Sequence, residues 1–243
     1  MPPTANYQEL AQRYGLAPTP ACVLQLTQMV ARQDSDLDEI ARLIDRDPTL
    51  QARLLRVANP SAESVEDYNV DTVEGALMRN GIGCAMVLAM GTPLALALVK
   101  TFQTMLSRKL ETIEYKAACL PPGEHVFATI GFSGKASGEV RLRMSLESAA
   151  EIAGTILGME ASALGDGPEV SDAIGEILNI MTGNFKSILC DAGLDCRLQP
   201  PQVQRAPDIY LPTAPGTSRE RMAFRCGNIQ IIVDVAVNPW NDE

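Results

Sequence analysis

The chain is poor in the residues that most catalytic and binding chemistries need. Aromatic residues make up 5% of its 243 positions, and His125 is the only histidine. A histidine-rich zinc site is therefore not available, and any histidine-based triad would rest on that one residue. On an alternating strand, His125 reads as a structural or surface residue. No C-x-x-C pair occurs, because Cys22, Cys84, Cys119, Cys190, Cys196 and Cys226 are scattered. The N-terminus, with Glu9 and no apolar core, does not read as a signal peptide, so a reduced, cytoplasmic, bacterial-type setting is expected. Basic clusters and aromatic platforms are missing too, and the formal net charge of −10 opposes a phosphate-tracking role and hence a nucleic-acid partner. The longest apolar run, Cys84 to Val99, approaches the length of a membrane span. Gly91-Thr92-Pro93 interrupts it, the halves are too short to span alone, and no membrane partner is expected.

With 46% hydrophobic residues the chain can bury a substantial core, and its length suits one large domain or two small ones. The most informative stretch is Asp172-Ala-Ile-Gly-Glu-Ile-Leu-Asn-Ile-Met-Thr-Gly183. At helical period Val170, Ala173, Ile174, Ile177, Leu178, Met181, Ile188 and Leu189 share one side, and Asp172, Glu176, Asn179, Gly183 and Lys186 share the other. Residues three apart on a helix sit roughly 5–6 Å apart at Cβ, so Glu176 and Asn179 can act on one bound surface together. Gly175 and Gly183 flank Asn179 at i−4 and i+4, and each costs roughly 1 kcal/mol in a helix interior relative to Ala. Missing side chains there would let another backbone or a bulky partner approach closely. Asp172 and Lys186 read as solvated residues able to touch such a partner. The plain alternative is that Glu176 and Asn179 are ordinary polar residues of a solvent face. Glu147 and Glu151 form another carboxylate pair, without a positioned partner, and read as surface charges.

The N-terminal part has an all-helical pattern. Pro18-Thr19-Pro20 leads into a helix burying Val23, Leu24, Leu26, Met29 and Val30, Ser35 is read as the N-cap of a second, and Asp47-Pro48 opens a third that ends at Asn59-Pro60. Residues 61–71 read as an acidic loop. Thr72 starts another helix, Gly81-Ile82-Gly83 turns the chain, and a helix from Pro93 runs to about Arg108. Strands are expected over His125–Ser133, Gly138–Met144 and Cys196–Val203, with a late hairpin of Met222–Arg225 and Ile229–Val237 turning at Gly227-Asn228. In the second strand Glu139, Arg141 and Arg143 alternate with Val140, Leu142 and Met144, the pattern of an antiparallel sheet with one wet face and helices on the other. Ser145 caps a helix through Leu157, a Pro-rich loop covers Pro207–Ser218, and no Pro/Gly/Ser-rich linker separates the two parts, which implies a rigid junction.

The segment Gly175-Glu-Ile-Leu-Asn-Ile-Met-Thr-Gly-Asn184 resembles the E-x-x-N helix of the CheX/CheC/FliY chemotaxis phosphatases. Gly131-Phe-Ser-Gly-Lys-Ala-Ser-Gly-Glu-Val140 and Arg141-Leu-Arg-Met-Ser-Leu-Glu-Ser-Ala-Ala150 resemble the strand, strand, helix run that precedes it, and residues 99–106 resemble the first CheX helix. That helix carries a second E-x-x-N in CheC proteins; Gln103 has no such pattern, so the chain looks CheX-like with a single site. Pro18-Thr-Pro-Ala-Cys-Val-Leu-Gln-Leu26 and Ile44-Asp-Arg-Asp-Pro-Thr-Leu-Gln-Ala-Arg-Leu-Leu-Arg-Val-Ala-Asn59 resemble the opening half of an HD-related output domain (HDOD). Such domains are usually about twice as long, and no His-Asp pair supports metal hydrolase chemistry here. A truncated signalling or dimerisation module is one reading of it, and a helical bundle that stabilises its neighbour is the other.

Together the resemblances imply an α+β chain, with an all-helical module over residues 8–95 and a CheX-like antiparallel sheet packed against helices over residues 96–237. They imply hydrolysis of the aspartyl phosphate of CheY-like receiver domains, with Asn179 orienting water and Glu176 pairing with the receiver's lysine. No cofactor of its own is implied, Mg²⁺ being held by the receiver, and a homodimer is expected. A non-catalytic receiver-binding or dimerisation scaffold is the alternative.

Overall fold

The computed structural model describes residues 36–59, 69–113, 120–134, 137–191, 195–207 and 218–237, and within the stretch before them Cys22, Gln25, Leu26, Gln28 and Met29, which are helical. Expectations for residues 1–17, for Val23, Leu24 and Val30, for 61–68 and for 208–217 lie outside these residues.

Helix α1, Leu37–Ile44, is capped by Asp36 and not by Ser35 as expected: the Asp36 side chain accepts a hydrogen bond from the Asp38 N–H, and the helix buries Ile40, Ala41, Leu43 and Ile44. Helix α2, Pro48–Ala58, starts as Asp47-Pro48 suggests: the Asp47 carboxylate accepts from the Thr49 and Leu50 N–H groups at 3.0 and 3.1 Å. Proline at the first helical position loses nothing, since its missing N–H would have had no partner in the helix. After α2 the Asn59 carboxamide donates to the Val70 carbonyl at 2.8 Å and accepts from the Val70 N–H at 3.0 Å. One side chain thus pairs with the Val70 backbone as a strand neighbour would.

Helix α3, Val73–Leu106, corrects the expectation of a break at Gly91-Thr92-Pro93. Helix is assigned through those three residues, and the one non-helical position lies earlier, at Gly81, with φ 76° and ψ 162°. Proline removes one backbone donor but keeps a helical φ, whereas that Gly81 conformation is open in practice only to glycine. Gly91 has a different task. A Cβ there would collide with the Glu220 carboxylate, which crosses beneath α3 from the sheet to pair with Arg53 of α2. Burial lowers the pKa of the Arg53 guanidinium, the nearby Arg56 adding to the effect. Residue 95 lies inside α3, and one continuous core runs from Leu26 and Ile44 through Leu77, Met86, Leu98 and Phe102 to Val233 and Val235.

The sheet is seven-stranded and antiparallel, in the order β1-β6-β7-β3-β2-β4, with β5 also paired to β2. Its strands are β1 (Glu111–Ile113), β2 (His125–Gly134), β3 (Gly138–Ser145), β4 (Cys196–Leu198), β5 (Gln202–Ala206), β6 (Ser218–Cys226) and β7 (Ile229–Val237). The single strand expected over Cys196–Val203 is two: Gln199-Pro200-Pro201 separates β4, against Phe132–Gly134, from β5, against His125–Thr129. Two consecutive prolines have no N–H to give to a ladder, so pairing resumes only beyond them. Strand β1 and the short helix α5 (Ala161–Leu164) had no separate sequence signal. Helix α4, Leu146–Leu157, is capped by Ser145 as expected. Helix α6, Pro168–Asp191, packs beside α3 over the sheet.

Val126, Ala128, Ile130, Val140, Leu142, Met144, Val233 and Val235 fill the helix-facing side. The opposite face is not simply wet. Phe127, Ala223, Ile232 and Ala236 are buried on it, and the Arg143 guanidinium lies 5.2 Å from the Phe127 ring centroid. Arg221 forks onto Asp234 of the adjoining strand. Long arginine stems cover apolar surface while their heads find carboxylates or rings. His125 is structural: it is buried, and its ring nitrogens Nε2 and Nδ1 face the Pro121 and Pro207 carbonyls at 3.0 and 3.1 Å. Among the described residues Cys22, Cys84, Cys190, Cys196 and Cys226 are free thiols, and burial pushes Cys22 and Cys196 up to about 11. No described helix is long and apolar enough to cross a membrane.

Gly81→Ala forces a side chain into the left-handed half of backbone space. Urea unfolding should show a loss of about 1–3 kcal/mol; unchanged stability would mean that α3 runs straight through at no cost.

Candidate functional site

The site helix α6 is secured from three directions. Underneath, Val170, Ile174, Ile177, Leu178, Met181, Phe185 and Leu189 are buried, and Phe185 meets Phe132 of β2 edge to face with ring centroids 6.2 Å apart. Phe185 falls on the apolar side by helical period, four residues beyond Met181, so its place was legible although the sequence reading did not name it. At the N-terminal end Arg205 of β5 donates to the carbonyls of Asp166 and Gly167, the latter at 2.7 Å, and to the Ser171 hydroxyl at 3.0 Å. No sequence signal ties Arg205 to this turn, because only the sheet brings β5 beneath it. On the third side Lys100 of α3 donates to the Asn184 carboxamide oxygen at 3.3 Å.

The outward stripe has the order the helical period requires. Asp172, Glu176 and Asn179 are exposed, and Gly183 and Lys186 are partly exposed. Neither Glu176 nor Asn179 makes a side-chain hydrogen bond or ion pair with a described residue, so both functional groups are free to engage something outside the chain. The two glycines part company. A Cβ on Gly183 would meet nothing within 4 Å, which leaves a shallow gap in the stripe one turn from Asn179. Gly175 is buried instead, and a Cβ there would lie 3.5 Å from Val203 and 3.9 Å from Pro201. The expectation that Gly175 faces a partner is therefore corrected: it turns about 60° away from Asp172 on the helix, toward β5, and serves packing inside the chain. Glu151, read as a lone surface charge, is paired with Arg108 at 2.5 Å.

An exposed carboxylate and carboxamide one turn apart, on a helix anchored from three directions, can hold a water or a cationic group on a docked surface. They provide no covalent nucleophile. Among the described residues no group of three or more His, Cys, Asp or Glu could hold a metal ion.

The antiparallel sheet, covered on one face by α3, α4 and α6, thus carries an exposed Glu176 and Asn179 pair on α6. Residues 126–222 match the family described as chemotaxis phosphatase CheX, and residues 16–114 match the HDOD domain. The chain thus carries a CheX-like domain preceded by an HDOD-type module. Chemotaxis protein CheX from Vibrio vulnificus is 25% identical, with a TM-score of 0.54 over 61% of this chain and 96% of its own. A CheC-like superfamily protein from Shewanella sp. PV-4 is 20% identical, with a TM-score of 0.54 over 62% and 97%. Chemotaxis protein CheX from Desulfovibrio desulfuricans is 15% identical, with a TM-score of 0.51 over 61% and 99%. The last two speak for the fold alone. No curated protein matches the chain.

Gly175→Ala and Gly183→Ala should each stabilise α6 in urea by up to about 1 kcal/mol, because neither meets a clash. Loss of stability in either would show that the helix needs the glycine for its backbone. Arg205→Ala, which leaves two carbonyls and a hydroxyl without their charged donor, should cost about 1–3 kcal/mol and raise amide exchange in the first turn of α6; exchange unchanged there would remove Arg205 as the anchor.

Proposed function

We propose that the chain hydrolyses the aspartyl phosphate of a CheY-like receiver domain, using Asn179 and Glu176. The observation that carries the reading is the unpaired Glu176 and Asn179 on the exposed stripe of α6, a helix that the sheet, Arg205 and α3 hold in place. The match to the CheX family supports it. An acyl phosphate is already activated, so hydrolysis needs a water held in line with the phosphorus and a stable docked geometry. A carboxamide suits that water, since its Oδ1 accepts a hydrogen bond from the water and so directs a lone pair toward phosphorus. The Asn179 side chain reaches outward with no internal hydrogen bond to break first. Glu176, on the next turn back, would pair with the receiver's lysine, fixing the docked orientation and drawing that cation from the phosphate. The phosphoryl group passes to water, giving inorganic phosphate and the free receiver carboxylate. Mg²⁺ would be held by the receiver's own carboxylates and neutralise charge on the phosphoryl oxygens. Homodimerisation and action inside the cell belong to the same proposal.

The test is phosphate release from Mg²⁺-loaded, phosphorylated receivers of the same organism. Asn179→Ala should lower turnover by about 10²-fold or more with binding largely kept, a loss on the scale of removing one positioned transition-state group. Glu176→Ala should weaken both binding and turnover. Unchanged hydrolysis with Asn179→Ala would sink the assignment, and receiver binding without acceleration by the wild-type chain would make it a scaffold.

A further inference from the structure

We propose that Lys100 of α3 is a second docking position, a cation that meets an acidic rim on the partner seated over α6 and sets how tightly that partner binds. This rests on the receiver reading above and adds a residue to it from a different helix. Between Arg79 and Arg108 Lys100 is the only charged residue, in the helix that the two parts of the chain bury between them. It is half-buried, and desolvation lowers its pKa. A cation so placed costs stability unless a partner compensates it. Among the described residues no carboxylate lies within ion-pair distance of it; its hydrogen bond is to the neutral Asn184 oxygen.

Its position suits an outside partner. Asn184 follows Gly183, where a side chain would meet open space, and lies about 100° further round α6, at the border with α3. Lys100 therefore meets α6 at a partly exposed residue directly after the open gap at Gly183. That stripe is itself acidic, with Asp172 and Glu176 against Lys186, on a chain of net charge −10. In that reading the receiver's lysine answers Glu176, while Lys186 is the stripe's one cation for the carboxylates with which the receiver holds Mg²⁺. A cation beside the gap supplies a second and favours one docked orientation.

Lys100 touches no reacting atom in this scheme. It is a positioning residue, and its signature is a change in affinity and salt dependence with chemistry preserved. The experiment uses the full chain and each receiver domain of the same organism, phosphorylated with acetyl phosphate for turnover and loaded with fluoroberyllate and Mg²⁺ for binding. Lys100→Gln, which keeps a donor for Asn184, should raise Kd and KM about 3- to 10-fold at low salt, flatten their salt dependence, and leave kcat within about 2-fold. Lys100→Arg should restore most of the affinity. Unchanged Kd and salt slope in Lys100→Gln, or a fall in kcat accompanied by lost thermal stability, would reduce Lys100 to a bridge between α3 and α6 and overturn the proposal while leaving the phosphatase reading intact. Failure of the wild-type chain to bind any receiver would overturn both.

Discussion

The structure depends on burying α3. This helix is apolar nearly all round, so neither a helical module alone nor a sheet alone can shield it from water. Helices α1 and α2 cover one side, and β6, β7, α4 and α6 cover the other. The consequence is one core where the two family resemblances would suggest two. Arg53 and Glu220 make the same point with charge, since an ion pair removed from water holds only while both partners stay in register. Gly91 gives that pair its passage, and a methyl group there would close it.

The consequence for the site follows from rigidity. Docking a protein and orienting one water both lose efficiency steeply when the positioning group wanders, and helix-borne side chains wander less than loop-borne ones. Phe185 on Phe132 sets the height of α6 above the sheet, Arg205 sets its beginning, and Lys100 ties its later turns to α3. With the helix immobilised, Glu176 and Asn179 can remain unpaired without collapsing onto the chain. The helical module reaches the site through the same contacts, because α1 and α2 rest on α3 and α3 rests on α6.

Much of the architecture was legible because it follows from local rules. Asp47-Pro48, Thr72 and Ser145 each cap the helix they were expected to cap, since a capping side chain acts on N–H groups two or three residues away. The alternation in β3 and the Gly227-Asn228 hairpin likewise need only near neighbours. The misplaced features depend on partners distant in the chain. Gly91 looked like a helix breaker until Glu220, far along the sequence, was seen to occupy the space beneath it. Gly175 looked like its twin Gly183 until β5 was found against one and open space against the other.

The helical period alone determined that Asp172, Glu176, Asn179, Gly183 and Lys186 share a stripe, because side-chain direction is a property of the helix itself. The apolar content of residues 84–99 likewise determined that this helix would be buried. Only the tertiary structure decided which side of α6 faces water near each glycine, that Arg205 grips its first turn, and that Lys100 bonds Asn184 across the seam between α3 and α6. Those arrangements are set by the antiparallel pairing of β5 and by the packing of α3 on α6. They join residues with no local relation, and the free energy that selects them comes from burying one shared core.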